Sequence, residues 1–541
     1  MNREFDAVVI GAGHNGLVAA NYLASAGLRV GVFERRHLVG GCITTEELIP
    51  NTPGFKINGG AIDHILIQRT PIIEDLKLSE YGLKYISIEP MFEVPFPESQ
   101  GGPLRFYSAL DKTVQEFARY SKRDSESYSR LCDEWMKEEA LLEALMLDAP
   151  PKMDVLFGVR GIGTLLRNRS LLSAMPQASR VDFNVMVRTV LMSANQLINE
   201  NFEDERVRVS LAALFSLIFS TMSPSLPGTG LMAIMHTMLY RTGLKRPLGG
   251  SGRLSESLKD SLLAKGGKVF LTSEVRRILV EGGRTAGVEL ADGSKVGAPV
   301  VVGALDPQVA LTKLLEPDLL PDSIVRKLES LRITSYGMTM HAALHAVPSE
   351  LREGAISRPG RSAGKLLAPS SLSEVERAYH TANFSGRLSD SPLVAVNFPT
   401  TYDPSLAPMG KHVLYCWAQF VPDRSPMTWE KDYAKFKEDS KNKIMSRLTQ
   451  TWTDIPELVI DTLVETPGDL EQRLWIQRGN TQHIDPTLEQ MYYYRPIPEL
   501  SHYRTPIRGL YITGAGTHPG GGVSGMPGYN CARVILADFK R

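Results

Sequence analysis

The chain is poor in cysteine and shows no excess of charge of either sign. Its four cysteines, Cys42, Cys132, Cys416 and Cys531, lie far apart with no Cys-x-x-Cys pair. That excludes a dithiol redox motif and a cysteine-built zinc site, and it suits a reducing compartment. The 60 lysines and arginines balance the 60 aspartates and glutamates, with no long like-charge run, so nothing points to a nucleic-acid partner. The 11 histidines are scattered, and His341 and His345 form the only His-x-x-x-His pair. No metal is expected, because a bound ion needs more ligands close together. Neither half of the uncharged stretch from Val209 to Tyr240 reaches the roughly 20 residues that a bilayer-spanning helix requires. The first apolar strand begins by about residue 7, leaving no room for a signal or transit peptide ahead of it. The expectation is a soluble-class protein on the cytoplasmic side, in a bacterial cytoplasm.

What the chain does have is glycine at ordered spacings. Ala7 to Ile10 is a short apolar run that reads as a buried parallel strand. Gly11, Gly13 and Gly16 follow at G-x-G-x-x-G spacing, with His14 and Asn15 inside the motif, and Leu17 to Ala26 reads as helix. Arg29 to Phe33 supplies a second strand, and Glu34 ends it 18 positions past the last glycine. In such a unit the first glycine permits a tight turn and the second lets a pyrophosphate approach the backbone. The third lets the helix pack closely on the strand. The helix N-terminus offers free N–H groups to the phosphates, and the acidic residue accepts from ribose hydroxyls. Arg35 and the pair Gly40 and Gly41 follow at once and are expected against the same cofactor.

Beyond this unit, Phe55 to His64 is strand-like and Pro71 to Leu83 predicts a helix. From residue 85 to 245 the character changes, with charged amphipathic helices over Asp111 to Tyr120 and Ser125 to Met146. Val209 to Tyr240 then contains no Asp, Glu, Lys or Arg, and a Ser-Pro-Ser-Leu-Pro-Gly-Thr-Gly segment divides it. One reading is a buried helical hairpin. The other is a methionine-rich wall of a tunnel for a lipid-like molecule, or a surface that dips into one leaflet. Arg241, Lys245 and Arg246 follow, placed to meet lipid phosphates.

Near residue 246 the first pattern returns. Pro247-Leu-Gly-Gly-Ser-Gly leads into a helix, and Gly267 to Thr272 reads as a strand. Glu274 to Val280, which contains Val275, is followed by a Gly282-Gly283 turn and by Thr285 to Lys295 with Asp292-Gly293 as a tight hairpin signal, and Val300 to Ala304 closes the group. This is how a nucleotide domain interrupted by another domain would resume. Strands and helices alternate again from about 331 to 480. The tail, Gly509 to Leu536, is a strand, a glycine-rich loop containing Gly514, Thr517 and His518, and a helix headed by Gly525 and Met526. A flavin needs such a second loop, because its ring takes backbone donors and a helix N-terminus near N1 and the C2 carbonyl. FAD is therefore the expected cofactor.

These motifs carry a resemblance. The Val8-Val-Ile-Gly-Ala-Gly-His-Asn-Gly start, Glu34 with Gly40-Gly41, Leu248-Gly-Gly-Ser-Gly and the Thr513-Gly-Ala-Gly-Thr-His-Pro-Gly-Gly-Gly tail resemble the phytoene-desaturase-like flavoproteins. Ala61-Ile-Asp-His64, Tyr402 to Pro408, Thr466 to Asp469 and His483 to Pro496 are most similar to the flavin-type β-carotene ketolases of bacteria. The chain departs from them at Cys42 and at Tyr492, Tyr493 and Tyr494. The resemblance implies an α/β fold: a Rossmann-like, GR2/amine-oxidase-like FAD domain with an inserted α+β substrate domain. Residues 1–84, 246–330 and 485–541 would form the first, and 85–245, helical and membrane-facing, and 331–484 the second. It implies an apolar polyene or carotenoid substrate, peripheral membrane attachment, and ketone formation, with desaturation or isomerisation as alternatives. A prenyl-binding protein without flavin is a further alternative that the intact glycine motif disfavours. Asp63, His64, Thr517 and His518 are the candidate catalytic groups.

Overall fold

Ala7–Ile10 is buried throughout because it runs between two parallel partners, Val30–Phe33 and Val300–Gly303. This computed structural model describes residues 3–146, 148–150, 175–176, 178–218, 221–352, 364–423 and 432–539. Leu510–Ile512 and Lys268–Phe270 extend the parallel sheet to five strands. Successive side chains leave opposite faces of a strand. Ala7 and Val9 meet the helices His14–Ser25, Gly252–Ala264 and Met526–Phe539, while Val8 and Ile10 share a core with an antiparallel ribbon. That ribbon is Val275–Glu281, Arg284–Leu290 and Lys295–Gly297. Cover on both faces explains why the strands read as unbroken apolar runs. At Gly16 a Cβ would stand 2.3 Å from the Gly11 carbonyl oxygen and 2.9 Å from the Ala304 Cβ. Only glycine lets the first helix lie this close.

A second sheet has seven strands, in the order Val459–Glu465, Met338–Leu344, His412–Ala418, Val394–Asn397, Gly364–Leu367, Phe92–Val94 and Leu104–Phe106. Its neighbours are antiparallel except where Lys365 of Gly364–Leu367 pairs with Glu93. Strands from two distant stretches of chain therefore share one sheet. Lys122–Met146, Glu205–Ser216 and Leu231–His236 pack over its Phe92 end through Phe106, Trp135 and Phe215.

Two local expectations change. The helix expected over Pro71 to Leu83 is two short turns, Ile72–Asp75 and Leu78–Tyr81. Lys77 between them has φ 53° and Gly82 has φ 84°, left-handed geometry that ends an i→i−4 ladder. Phe55 to His64 pairs only over Ile57–Asn58, against Thr45–Glu46. In the uncharged stretch, Val209 and Leu211 to Phe215 are buried. Among the described residues no helix is long and apolar enough to cross a membrane.

Candidate active site

Strands that run parallel end along one edge, so the loops after Ile10, Phe33, Gly303 and Ile512 converge there. A cavity of about 650 Å³ opens at that edge, within the range of small-molecule and cofactor sites. Gly11, Gly13, His14, Asn15, Gly16 and Glu34 line it, as do Arg35, Gly40, Gly41, Val275 and Gly514. Glu34 is held in place by backbone donors: Ala12 N–H reaches Oε2 at 2.8 Å and Arg36 N–H reaches Oε1 at 2.9 Å. Gly40 N–H donates to the Ala12 carbonyl at 2.9 Å, which lays the second glycine pair across the first loop. Arg35 donates to the Gln472 and Arg473 carbonyls and lies 5.2 Å over the Trp475 ring.

Gly525 and Met526 do not reach the cavity. A Cβ at Gly525 would meet Ile72 and Val18, and Met526 is buried in the helix core. Gly520 to Val523 line the cavity in their place, because the glycine run turns the chain there before the helix starts. The four catalytic candidates separate in the same way. His64 is fully buried between the Tyr85 hydroxyl at 3.1 Å and Ser251 Oγ at 2.7 Å, and it does not line the cavity. Thr517 braces the loop by donating to the Gly514 carbonyl at 3.0 Å. Asp63 and His518 do line the cavity. His518 Nε2 donates to the Leu145 carbonyl at 3.1 Å, and burial lowers its pKa to about 4, so the ring is neutral at pH 7.

Arg246 was expected at a lipid surface and lies elsewhere. It is 3% exposed, lines the cavity, and donates from Nε to Asp63 at 2.6 Å. The aligned strands Tyr85–Ile88 and Leu244–Pro247 turn it inward. Sequence reading also passed over His483 and Arg495, although both fall in the resemblance stretch that ends at Pro496. Arg495 is buried, with burial lowering its pKa to about 9 against the pull of Asp485, and it donates to the Ala515 carbonyl from Nε at 3.0 Å. It places positive charge beside the tail loop.

The lining itself tests for a cofactor. His14 Nε2, Asn15 Oδ1, Arg36 Nη1, His483 Nδ1 and His518 Nδ1 are buried without a protein partner, and all five residues line this cavity. Buried polar atoms are nearly always paired, so these mark the place of a polar ligand. A Cβ on Gly13 would meet nothing within 4 Å, the open cradle a pyrophosphate needs. Gly11 to Gly16 and Glu34 would hold the adenosine half, and Gly514 with Gly520 to Val523 the ring half.

Comparison with known proteins agrees. Residues 9–68 match the model of an NAD(P)-binding Rossmann-like domain, and residues 136–535 match that of a flavin containing amine oxidoreductase. The chain is 31% identical to the mouse (Mus musculus) pyridine nucleotide-disulfide oxidoreductase domain-containing protein 2, over 99% of this chain and 94% of that one. It is 25% identical to a lycopene-forming phytoene desaturase of a Paracoccus species, over 98% and 97% of the two chains. The fold matches cyclohexylamine oxidase from Brevibacterium oxydans with a TM-score of 0.60 at 17% identity, covering 99% of this chain and 100% of that one. A glycine-lined cradle, paired with a second loop for a ring and matched over most of its length by one family model, places this chain in the flavin-containing amine oxidoreductase family, as an FAD-dependent oxidoreductase.

Proposed function

We propose that this oxidoreductase acts on an apolar polyene of carotenoid type. The observation that carries the reading is the continuity of the cavity from the glycine cradle to a wall made by the uncharged stretch. Leu214, Leu217, Leu231, Met235, Met238 and Leu239 all line the far end. Such a wall offers a hydrocarbon burial at about 25 cal/mol per Å² and offers a charged amine nothing to pair with. Bound FAD supplies the two-electron acceptor, and the chain positions the substrate and keeps water out. Oxidation of a ring carbon to a ketone, as in the β-carotene ketolases, is the first reading of the reaction. Desaturation is the second, favoured by a desaturase relative that matches nearly end to end. Expression in cells that make β-carotene or lycopene, followed by pigment analysis, tests both. Ketocarotenoids support the first, new double bonds the second, and unchanged pigment in these hosts and in one that makes a hydroxylated carotenoid overturns the carotenoid reading.

We also propose peripheral attachment to the cytoplasmic face of a membrane. On the helix Phe183–Leu191, Phe183 is 65% and Leu191 56% exposed, while Val190 lines the cavity. A lipid surface would cover the outer row and feed substrate past the inner one. Within the uncharged stretch Leu217 lines the cavity and Phe219 lies outside the described residues, so Leu191 on the outer row is the position that tests the membrane placement.

A further inference from the structure

Away from the glycine cradle, one polar cluster stands beside the apolar wall of the cavity. Arg246 spends Nε on Asp63 Oδ1 at 2.6 Å and Nη1 on the Tyr402 hydroxyl at 2.5 Å, and Tyr402 in turn donates to Asn397 Oδ1 at 3.2 Å. Arg246 Nη2 and Asp63 Oδ2 have no hydrogen-bond partner among the described residues. The Asp63 side chain keeps 26% of its surface against 4% for Arg246, and both residues line the cavity. Tyr415, 7% exposed, lines the same cavity and is the cross-strand partner of Asn397, the residue that accepts from Tyr402.

The position matters as much as the chemistry. Ala61 N–H donates to the Cys42 carbonyl at 3.1 Å, which ties the segment leading to Asp63 to the glycine pair at the cofactor end. The cluster therefore sits where the cradle meets the apolar wall. A donor and an acceptor left open side by side at such a junction form a site, and their charges decide its ligand. Paired, Asp63 and Arg246 carry no net charge. A carboxylate would be repelled by Asp63 and an ammonium by Arg246. A pure hydrocarbon would leave both polar atoms desolvated and unpaired, which is costly in a buried site. A hydroxyl accepts from one and donates to the other.

We propose that Asp63 and Arg246, with Tyr415 lining the same cavity, bind a hydroxyl group carried by an otherwise apolar substrate. This rests on the apolar-substrate reading above. The test is titration of purified FAD-loaded protein with four probes that share one polyene skeleton: retinol, retinoic acid, retinylamine and the deoxy hydrocarbon. Binding is followed by the polyene absorption and fluorescence. Retinol is expected to bind at least about tenfold more tightly than each of the others, because a site built for a hydroxyl rejects analogues that lack it. The double variant Asp63→Leu with Arg246→Met removes both partners and avoids leaving one charge buried alone. It is expected to lose the retinol preference and bind the hydrocarbon at least as well, with FAD content unchanged. Should the double variant not fold, Tyr415→Phe is expected to lower the preference about threefold or more. Equal binding of retinol and hydrocarbon by the unaltered protein overturns the hydroxyl site and leaves the apolar reading standing. Tightest binding of the acid or the amine overturns it as well. No binding of any of the four overturns both.

Discussion

The two ends of the cavity are built on different principles. At the cradle, the chemistry comes from the backbone: glycines, N–H groups and one carboxylate fixed by Ala12 and Arg36. Its parts lie next to one another in sequence, because a strand, a tight turn and a helix are made from about thirty consecutive residues. At the wall, the chemistry comes from side chains of helices and a mixed sheet that meet only in the folded chain. The cradle has little tolerance for volume where Gly11, Gly16 and Gly40 face backbone atoms, while Gly13 stays open toward the ligand. The wall, made of apolar side chains, fails on polarity instead.

The sharpest break in this comparison is Gly16→Val. Its Cβ would collide with the Gly11 carbonyl and with Ala304. The expected outcome is a colourless protein destabilised by about 3 kcal/mol or more, read by flavin absorbance and urea unfolding. Acid comes next. Burial lowers the pKa of His14, His236 and His518 to about 4, and that of His64, His341 and His483 to about 3. A folded-state value below the unfolded one means that the unfolded chain takes up protons first. Stability is therefore full above about pH 6.5 and falls as the pH drops toward 4. Urea midpoints from pH 7 to 4.5 are expected to decline steeply. His518→Phe should flatten the decline by about 2–3 kcal/mol at pH 4.5; an unchanged slope would count against the buried neutral ring.

Glu34→Ala probes the cradle without adding volume. It leaves the Ala12 and Arg36 N–H groups without their acceptor, at about 1–3 kcal/mol for each that stays buried. FAD affinity by equilibrium dialysis is expected to fall by one to two orders of magnitude, and full occupancy after dialysis would contradict the assignment. Met235→Glu is the matching change at the wall. It should cut polyene binding about tenfold or more and leave FAD content as it was; parallel loss of both would erase the distinction between the two ends. Leu191→Asp is the mildest. Lower partition onto liposomes with an unchanged melting temperature is expected, and unchanged partition would sink the membrane placement.

How far the sequence was legible follows the same division. The parallel strands, the Gly282-Gly283 hairpin and the helix after Gly252 are local patterns of apolar runs and turn residues, and the folded chain has them. The break at Lys77 was not legible, because nothing in a lysine announces a positive φ. The glycine-rich tail was visible as a cofactor loop. Which of its residues face the cavity was not, since Gly525 and Gly521 look alike until Ile72 and Val18 are packed against one of them. Arg246 read as a surface cation for the same reason: its partner Asp63 is 183 residues away.

By itself the sequence determined the cofactor end. The glycine spacing, Glu34 and the second loop specify a dinucleotide and then FAD, because backbone approach and turn geometry are properties of neighbouring residues. Tertiary structure alone decided what the other end presents. It joined two remote stretches into one seven-stranded sheet, lined the cavity with the uncharged helices, and turned Arg246 inward onto Asp63. Burial and pairing depend on which distant segments meet, and no local pattern encodes that.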